Sequence, residues 1–142
     1  MNDDALRSRY PHWTPVTLRF SDQDGTGHVN NVSFAAYVEA GRVDFGYHHT
    51  RPLLAPGQDL FMANVAIAYR RQLHYPGTID VGTGVLKLGR TSITLRSDVY
   101  FEGALIAEGE SVVVLVDRAS GASQPLSDAV RAMLEKLTVT PA

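Results

Sequence analysis

A turn rich in acids and glycines, followed at once by a long amphipathic helix, constrains this chain more than any other feature. Residues 21–31 read Ser-Asp-Gln-Asp-Gly-Thr-Gly-His-Val-Asn-Asn. The two glycines allow a tight reversal, because glycine adopts positive φ without steric cost. Asn30 or Asn31 is a suitable N-cap, since its side-chain oxygen accepts a free amide hydrogen of the first helical turn. The pattern predicts that a helix begins near Asn31, just after Asp22 and Asp24.

The helix predicted from Val32 to about His48 has one apolar face. Apolar or small residues recur at spacings of four, three and four, at Phe34, Val38, Gly41 and Phe45, and Tyr37 widens the stripe. The helix would be roughly 25 Å long at 1.5 Å per residue. Burial of each large apolar side chain is worth about 1.5–3 kcal/mol. A helix of this kind therefore needs a broad apolar partner, such as an antiparallel sheet.

The remaining sequence predicts that sheet. Alternation of apolar and polar residues indicates five strands, at Thr14–Phe20, Leu60–Tyr75, Thr78–Leu88, about Ile93–Phe101, and Ala104–Asp117. In the second strand, the alternate residues from Phe61 to Tyr75 are predicted to share one face. In the third, Gly82 and Gly84 indicate a bulge or bend.

Two end segments complete the predicted organisation. Residues 1–13 are interpreted as a loose lead-in, and Pro125–Leu137 as a short amphipathic helix. The order of strand, long helix, four strands and short helix predicts an α+β chain that forms a single domain over residues 1–142.

Composition excludes several classes of function. The net charge is −2 with no block of like charges, so binding to nucleic acid through a basic surface is not expected. The chain has no cysteine, which excludes disulfides, thiolate metal sites and a cysteine nucleophile. The polar N-terminus and the lack of a long apolar run predict a cytoplasmic protein that does not span a membrane.

The two acids of the turn are candidates for chemistry. A carboxylate beside a helix N-terminus can attack a carbonyl or activate water, while helix-end amides hold the developing oxyanion. Asp22 and Asp24 are equally compatible with ordinary turn residues that cap loop amides. The local pattern leaves both interpretations open.

At the level of motifs, the chain resembles the hotdog-fold acyl-CoA thioesterases of the 4-hydroxybenzoyl-CoA thioesterase type. The similarity rests on the Asp-x-Asp-x-x-Gly-His-Val-Asn-Asn run and on Tyr37-Val-Glu-Ala-Gly-Arg42. It extends to Tyr75-Pro76, Gly89-Arg-Thr-Ser92 and Gly103. The resemblance implies a hotdog fold, in which a five-stranded antiparallel sheet wraps around the long central helix and a short helix ends the chain.

The resemblance also implies an activity and a catalytic pair. The expected reaction is hydrolysis of an acyl-CoA thioester to free acid and coenzyme A, without cofactor or metal. Asp24 corresponds to the catalytic carboxylate, acting as nucleophile or general base, and the backbone N–H of Asn31 corresponds to the oxyanion donor. Glu39 is the second choice of catalytic group. Asp22 is interpreted as structural, closing the turn or orienting Asp24.

Substrate contacts and assembly follow from the same resemblance. His28, Asn30 and Arg90 are predicted to bind substrate, with Asn30 positioning the loop. Arg90 is chosen among the basic residues that could meet the coenzyme A phosphates, which are Arg70, Arg71, Lys87, Arg90 and Arg96. A homodimer or a homotetramer built as a dimer of dimers is expected. No metal site is expected, since His48, His49 and His74 lack partners at metal-ligand spacing.

Two other functions remain open. A hotdog enoyl-CoA hydratase or dehydratase would pair Asp24 with His28 for proton transfer. A non-catalytic acyl-CoA binding protein would keep the fold and lose turnover. Release of free thiol, compared with hydration of crotonyl-CoA, separates these possibilities.

Overall fold

The computed structural model describes residues 3–141. Its helices and strands are α1 (Asp3–Ser8), β1 (His12–Thr17), α2 (Asn31–Phe45), β2 (Gln58–Tyr69), β3 (Thr78–Leu88), β4 (Ser92–Phe101), β5 (Ala104–Asp117) and α3 (Asp128–Glu135). A 3₁₀ turn at Phe20–Asp22 precedes α2. A π-helical turn at Gly46–Thr50 and a second 3₁₀ turn at Arg51–Leu53 prolong it. Within residues 3–141, no helix is both long enough and apolar enough to cross a membrane.

The five strands form one antiparallel sheet in the order β1-β3-β4-β5-β2. All five strands contact α2, so the sheet curls around that helix. Helix α3 begins after the N-cap Ser127 and buries Val130 and Leu134. These features confirm the predicted α+β hotdog architecture, with its long central helix and short C-terminal helix.

The predicted apolar face of α2 is confirmed. Its buried residues are Phe34, Tyr37, Val38, Gly41 and Phe45. The N-terminal half of the helix packs in one core cluster and Phe45 packs in a second, which also contains Val130 and Leu134 of α3. A Cβ on Gly41 would lie 2.5 Å from Val81 Cγ1 of β3. Glycine at this position therefore lets the helix approach the sheet closely.

Strand β2 differs from its prediction in phase and in length. The register with β5 shifts between Met62 and Asn64, so Ala63 forms a bulge and Phe61 lies on the opposite face from Val65. The prediction of one common face is therefore wrong. The strand also ends at Tyr69, because the N–H groups of Arg70 and Arg71 both donate to the Ile106 carbonyl and the chain then leaves the ladder.

Strand β3 has its predicted bounds but not its predicted bulge. The register slips between Val85 and Lys87, rather than at Gly82 or Gly84. A Cβ on Gly82 would lie 2.7 Å from the Tyr10 ring. This glycine therefore makes room for the N-terminal segment instead of bending the strand.

The N-terminal segment is not a loose lead-in over its described part. Residues 3–8 form α1, and the following residues pack on the sheet face away from α2. The Tyr10 hydroxyl donates to the buried Asp98 carboxylate at 2.5 Å and lies 2.9 Å from the Tyr100 hydroxyl. Residues 1 and 2 fall outside the described range.

Strand β1 covers a different range from the one predicted. It begins at His12 and ends at Thr17. The residues that follow form the 3₁₀ turn instead, and the Phe20 side chain is 76% exposed. Leu18 remains buried, with its N–H donating to the Gly77 carbonyl at 2.8 Å. The sheet thus ends where the acid-containing turn begins.

Candidate active site

The turn between β1 and α2 is a small hairpin closed by backbone hydrogen bonds. Gln23 and Val29 form an isolated antiparallel bridge, and the Asp24 N–H donates to the His28 carbonyl at 2.9 Å. Gly27 has a φ of +85°, a conformation that glycine adopts at little cost. The Val29 N–H donates to the Leu73 carbonyl at 2.8 Å. This last bond joins the turn to the segment that follows β2.

Asp22 holds the turn to the start of α2. Its carboxylate accepts from the Arg19 N–H at 2.9 Å, from the Arg19 guanidinium, and from the Tyr37 hydroxyl at 2.8 Å. Its carbonyl accepts from the Asn30 N–H and the Ser33 hydroxyl. Burial raises the pKa of Asp22, but these donors outweigh burial and lower it overall. The structure therefore gives Asp22 the structural role that the sequence suggested.

Asp24 is exposed and is held by Thr26. The Thr26 hydroxyl donates to Asp24 Oδ1 at 2.5 Å, and the Thr26 N–H donates to the same oxygen at 2.8 Å. These two bonds, with a smaller contribution from His28, lower the pKa of Asp24. Both Thr26 bonds go to one oxygen, so Thr26 does not engage Oδ2. At neutral pH the side chain is an oriented anion.

The start of α2 is capped by Asn30. The Asn30 side-chain oxygen accepts from the Val32 N–H at 3.0 Å, and the Asn30 carbonyl accepts from the Ser33 N–H. The Asn31 N–H donates to no other group in the described residues. That N–H is one of the donors that a helix leaves unpaired at its positive end.

Asp24 and Asn31 line the same groove, which has a volume of about 410 Å³. His28, Phe34, Tyr69 and Arg71 also line it. The Phe34 and Tyr69 rings pack edge to face with their centroids 5.4 Å apart, and the Tyr69 hydroxyl donates to the Asn31 carbonyl at 3.1 Å. The groove thus combines an anion, a free main-chain donor and an aromatic wall.

His28 presents an unusual group at this groove. Its ring lies against His74, with the centroids 4.8 Å apart. Its Nδ1 atom is buried and has no hydrogen-bond partner among residues 3–141. An unpaired buried polar atom is costly, so a ligand group at this position would be stabilised. The predicted role of His28 in substrate binding remains a prediction.

The basic residues divide into paired and unpaired groups. Arg70 and Arg71 border the groove, but Arg70 is paired with Glu108, with Nε and Oε2 2.8 Å apart. Arg71 forms no ion pair with any residue in the range 3–141. Arg90 lies in the turn between β3 and β4, where its carbonyl accepts from the Leu126 N–H. It does not line the groove of its own chain.

Glu39, the second choice of catalytic group, lies further along α2. Its side chain is 62% exposed, and its Oε2 lies 3.7 Å from Arg42. Neither this groove nor the smaller cavity of about 150 Å³ near the C-terminal end of α2 is lined by Glu39. The geometry within one chain favours Asp24.

A group of histidines forms at the other end of α2. His12 Nε2 lies 2.7 Å from Asp44 Oδ2, and His48 Nδ1 lies 3.4 Å from Asp44 Oδ1. His49 Nε2 lies 3.2 Å from His12 Nδ1. The prediction that His48 and His49 lack suitable partners is therefore wrong. The spacing of four between Asp44 and His48 was the available signal, whereas His12 comes from a distant strand.

The comparison with protein families agrees with this fold and groove. The model of the thioesterase-like superfamily matches residues 18–134. The chain belongs to the thioesterase-like superfamily. The prediction of a thioesterase enzyme is thereby confirmed at the level of the family.

Individual relatives of this superfamily match over most of the chain. The acyl-CoA thioester hydrolase YbgC of Escherichia coli O6:H1 is 24% identical over 107 residues, covering 72% of this chain and 80% of the relative. A predicted thioesterase from Bacillus stearothermophilus has a TM-score of 0.82 and 29% identity, covering 92% of this chain and 98% of its own. A thioesterase from Thermus thermophilus, complexed with coenzyme A and zinc, has a TM-score of 0.78 and 30% identity, covering 88% and 98%.

Proposed function

We propose that this thioesterase hydrolyses acyl-CoA thioesters at the groove beside the N-terminus of α2. The observation that carries the proposal is that the Asp24 carboxylate and the unpaired Asn31 N–H line one groove. The names of the Escherichia coli relative and of the Thermus thermophilus complex support coenzyme A as the carrier of the acyl group.

The chemistry requires only these groups and water. In one route Asp24 attacks the thioester carbonyl, the carbon–sulfur bond breaks, and water hydrolyses the resulting anhydride. In the other, Asp24 takes a proton from a water molecule that attacks the same carbon. In both routes the Asn31 N–H stabilises the oxyanion of the tetrahedral intermediate. The products are a carboxylic acid and the thiol of coenzyme A.

The charge of the groove suits a phosphate-bearing substrate. Arg71 borders the groove and has no ion-pair partner in residues 3–141, so we infer that it contacts a coenzyme A phosphate. Arg90 retains its predicted role only if it reaches the groove of a second protomer. A structure with bound coenzyme A would decide between these two arginines.

A second protomer is part of the proposal. Strand β2 lies at the sheet edge, and it carries large apolar side chains that are 41–63% exposed at Phe61, Met62, Val65 and Tyr69. A long exposed apolar edge strand is a surface for pairing with another chain. We infer a homodimer formed through β2, which would place the partner beside Tyr69 and the groove.

Substitution of Asp24 by Asn tests the carboxylate. The variant should fold and bind acyl-CoA, because Asp24 is exposed and the amide oxygen can still accept from Thr26. Turnover should fall by about a hundredfold or more, the scale of lost acid–base or nucleophilic catalysis. Thiol release measured across aliphatic and aromatic acyl-CoAs provides the readout. A near-normal rate would move the chemistry to Glu39 or His28.

Substitution of Asn31 by Pro tests the main-chain donor in the same assay. Proline lacks an N–H, yet it is favoured at the first position of a helix. The preceding Asn30 has φ −64° and ψ 136°, which a following proline accepts. The loss of one oxyanion donor should lower kcat by about 10²–10³. Asn31→Ala keeps the N–H and should remain active, and equal activity of the two variants would refute the donor role.

A hydratase remains the second candidate, because His28 lines the same groove as Asp24 and its Nδ1 is unpaired within residues 3–141. A carboxylate and an imidazole together could move the two protons that hydration of an enoyl thioester requires. Incubation with crotonyl-CoA distinguishes the two functions. Formation of the 3-hydroxyacyl product without thiol release would favour the hydratase.

A further inference from the structure

Three side chains with metal-binding atoms converge at the C-terminal end of α2, away from the proposed thioesterase site. They are His12 of β1, Asp44 of α2 and His48 of the π-helical turn, and one ligand atom from each lies within 4.8 Å of the others. Asp44 is thirteen residues from Asn31, which corresponds to about 20 Å along the helix. The cluster is therefore separate from the groove that contains Asp24.

The local structure explains why these side chains meet. Asp44 and His48 are four residues apart, so they lie one above the other on the same helical surface. Strand β1 brings His12 to Asp44, and the Thr14 hydroxyl also donates to Asp44 Oδ2 at 2.8 Å. The backbone thus fixes the positions from which all three side chains point to one place.

The donor set matches a zinc-type ion in number and kind. Two imidazole nitrogens and one carboxylate oxygen form a recurrent three-residue zinc set, with water in the fourth position. Donors bound at about 2.0–2.2 Å in a tetrahedron stand about 3.3–3.6 Å apart. His48 Nδ1 and Asp44 Oδ1 are 3.4 Å apart, whereas His12 Nε2 and Asp44 Oδ2 are 2.7 Å apart, as expected for a hydrogen bond.

Small movements would convert the hydrogen bonds into ligand bonds. The ion would replace the His12–Asp44 bond and the bond from His48 Nδ1 to the Asp44 carbonyl, which is 2.8 Å long. The His48 side chain is 61% exposed and can rotate, while the His12 side chain is only 13% exposed and is already fixed. The exposed side also leaves room for a water ligand.

His49 supplies the supporting contact that metal-binding histidines usually have. If His12 binds through Nε2, its Nδ1 carries the proton and donates to a neighbouring acceptor. His49 Nε2 lies 3.2 Å from His12 Nδ1 and accepts that hydrogen bond when the His49 ring is neutral. His49 thus fixes the tautomer of His12 without touching the ion.

We propose that His12, Asp44 and His48 bind one divalent zinc-type ion, with His49 as a positioning residue for His12. The ion joins β1 to the C-terminal end of α2. Its expected effect is stabilisation of the folded chain, because an ion that binds the folded state alone shifts the unfolding equilibrium.

Metal titration of tag-free protein tests this site. After removal of metal with a chelator, isothermal titration with Zn²⁺ should show one ion per chain with micromolar or tighter affinity. Zn²⁺ should also raise the thermal unfolding midpoint by several degrees. Co²⁺ in place of Zn²⁺ should give the visible absorption of a four-coordinate ion. Mg²⁺ should have no effect, because it prefers oxygen ligands in an octahedral arrangement.

Substitutions separate this site from the other histidines. His48→Gln changes an exposed side chain, so it should fold and bind Zn²⁺ at least a hundredfold more weakly. His49→Gln should weaken binding by about ten- to a hundredfold, the usual effect of losing a supporting contact. His74→Gln is the matched control and should bind as the unchanged protein does. Absence of saturable binding at one ion per chain, or unchanged binding in His48→Gln, would overturn the proposal, whether or not the thioesterase reaction is confirmed.

Discussion

The contact between Thr26 and Asp24 gives the proposed catalytic anion both its orientation and its charge. The hydroxyl and the N–H of Thr26 bind the same carboxylate oxygen and lower the pKa of Asp24 from its ordinary value of 3.8. If Asp24 acts as the anion, activity is lost as the pH falls through this lowered pKa. The acid limb of the activity profile should therefore lie below pH 3.8.

Removal of the Thr26 hydroxyl should move that limb. In Thr26→Val only the N–H remains, so the pKa of Asp24 should rise towards 3.8 and activity should decline at a higher pH than in the unchanged enzyme. Thr26→Ser keeps both donors and should retain the original profile. The measurement is kcat/KM against pH for all three proteins. Coincident acid limbs would show that Thr26 does not set the charge of the catalytic group.

At the scale of single residues, the sequence indicated the turn but not its division of labour. Motif and spacing pointed to Asp22, Asp24 and the helix start together. Only the fold shows that Asp22 is buried beneath Tyr37 while Asp24 is exposed. Tyr37 is fifteen residues from Asp22 in the chain, so no local pattern could reveal that contact.

At the scale of elements, the packing of α2 on β3 depends on one glycine. In Gly41→Ala the added Cβ would lie 2.5 Å from Val81 Cγ1 and 2.8 Å from Thr83 Oγ1, so the helix must shift. Overpacking of this kind costs about 1–3 kcal/mol of the free energy of unfolding. Denaturant unfolding should show a lower midpoint for this variant.

Gly46, five residues later, provides the matched control. It has φ −62° and ψ −44°, and a Cβ there would meet no atom within 4 Å. Gly46→Ala should therefore stabilise the protein by about 0.4–1 kcal/mol, mainly by restricting the unfolded chain. Equal destabilisation by both substitutions would indicate that loss of glycine, rather than contact with β3, causes the effect.

The strands show why some boundaries can be predicted and others cannot. The bounds of β3 and β5 follow from alternation that ends at clear turn residues, and both match the structure. Strand β2 departs from its pattern because Ala63 bulges and because Leu73 bonds to the acid-containing turn instead of to β5. Both causes are long-range interactions, which a periodic pattern does not record.

For the whole molecule, the unpaired edge of β2 should control assembly. Val65 is 41% exposed on this edge, and a lysine there is a common means by which natural edge strands avoid pairing. Val65→Lys should convert a dimer into a monomer, with thiol release falling as the dimer dissociates. Leu86→Lys is the matched control, since Leu86 is 40% exposed on β3, and it should stay dimeric. Light scattering after size-exclusion chromatography measures both, and a monomeric unchanged protein would contradict the proposed dimer.

The use of a main-chain group at residue 31 has an evolutionary consequence. Every amino acid except proline carries the same amide hydrogen, so side-chain identity at this position is free to drift among related enzymes. Asn30 has less freedom, because its side chain caps the first turn and fixes the direction of the neighbouring amide. We therefore expect aligned relatives to preserve a capping residue at 30 and to vary at 31, the position that polarises the substrate.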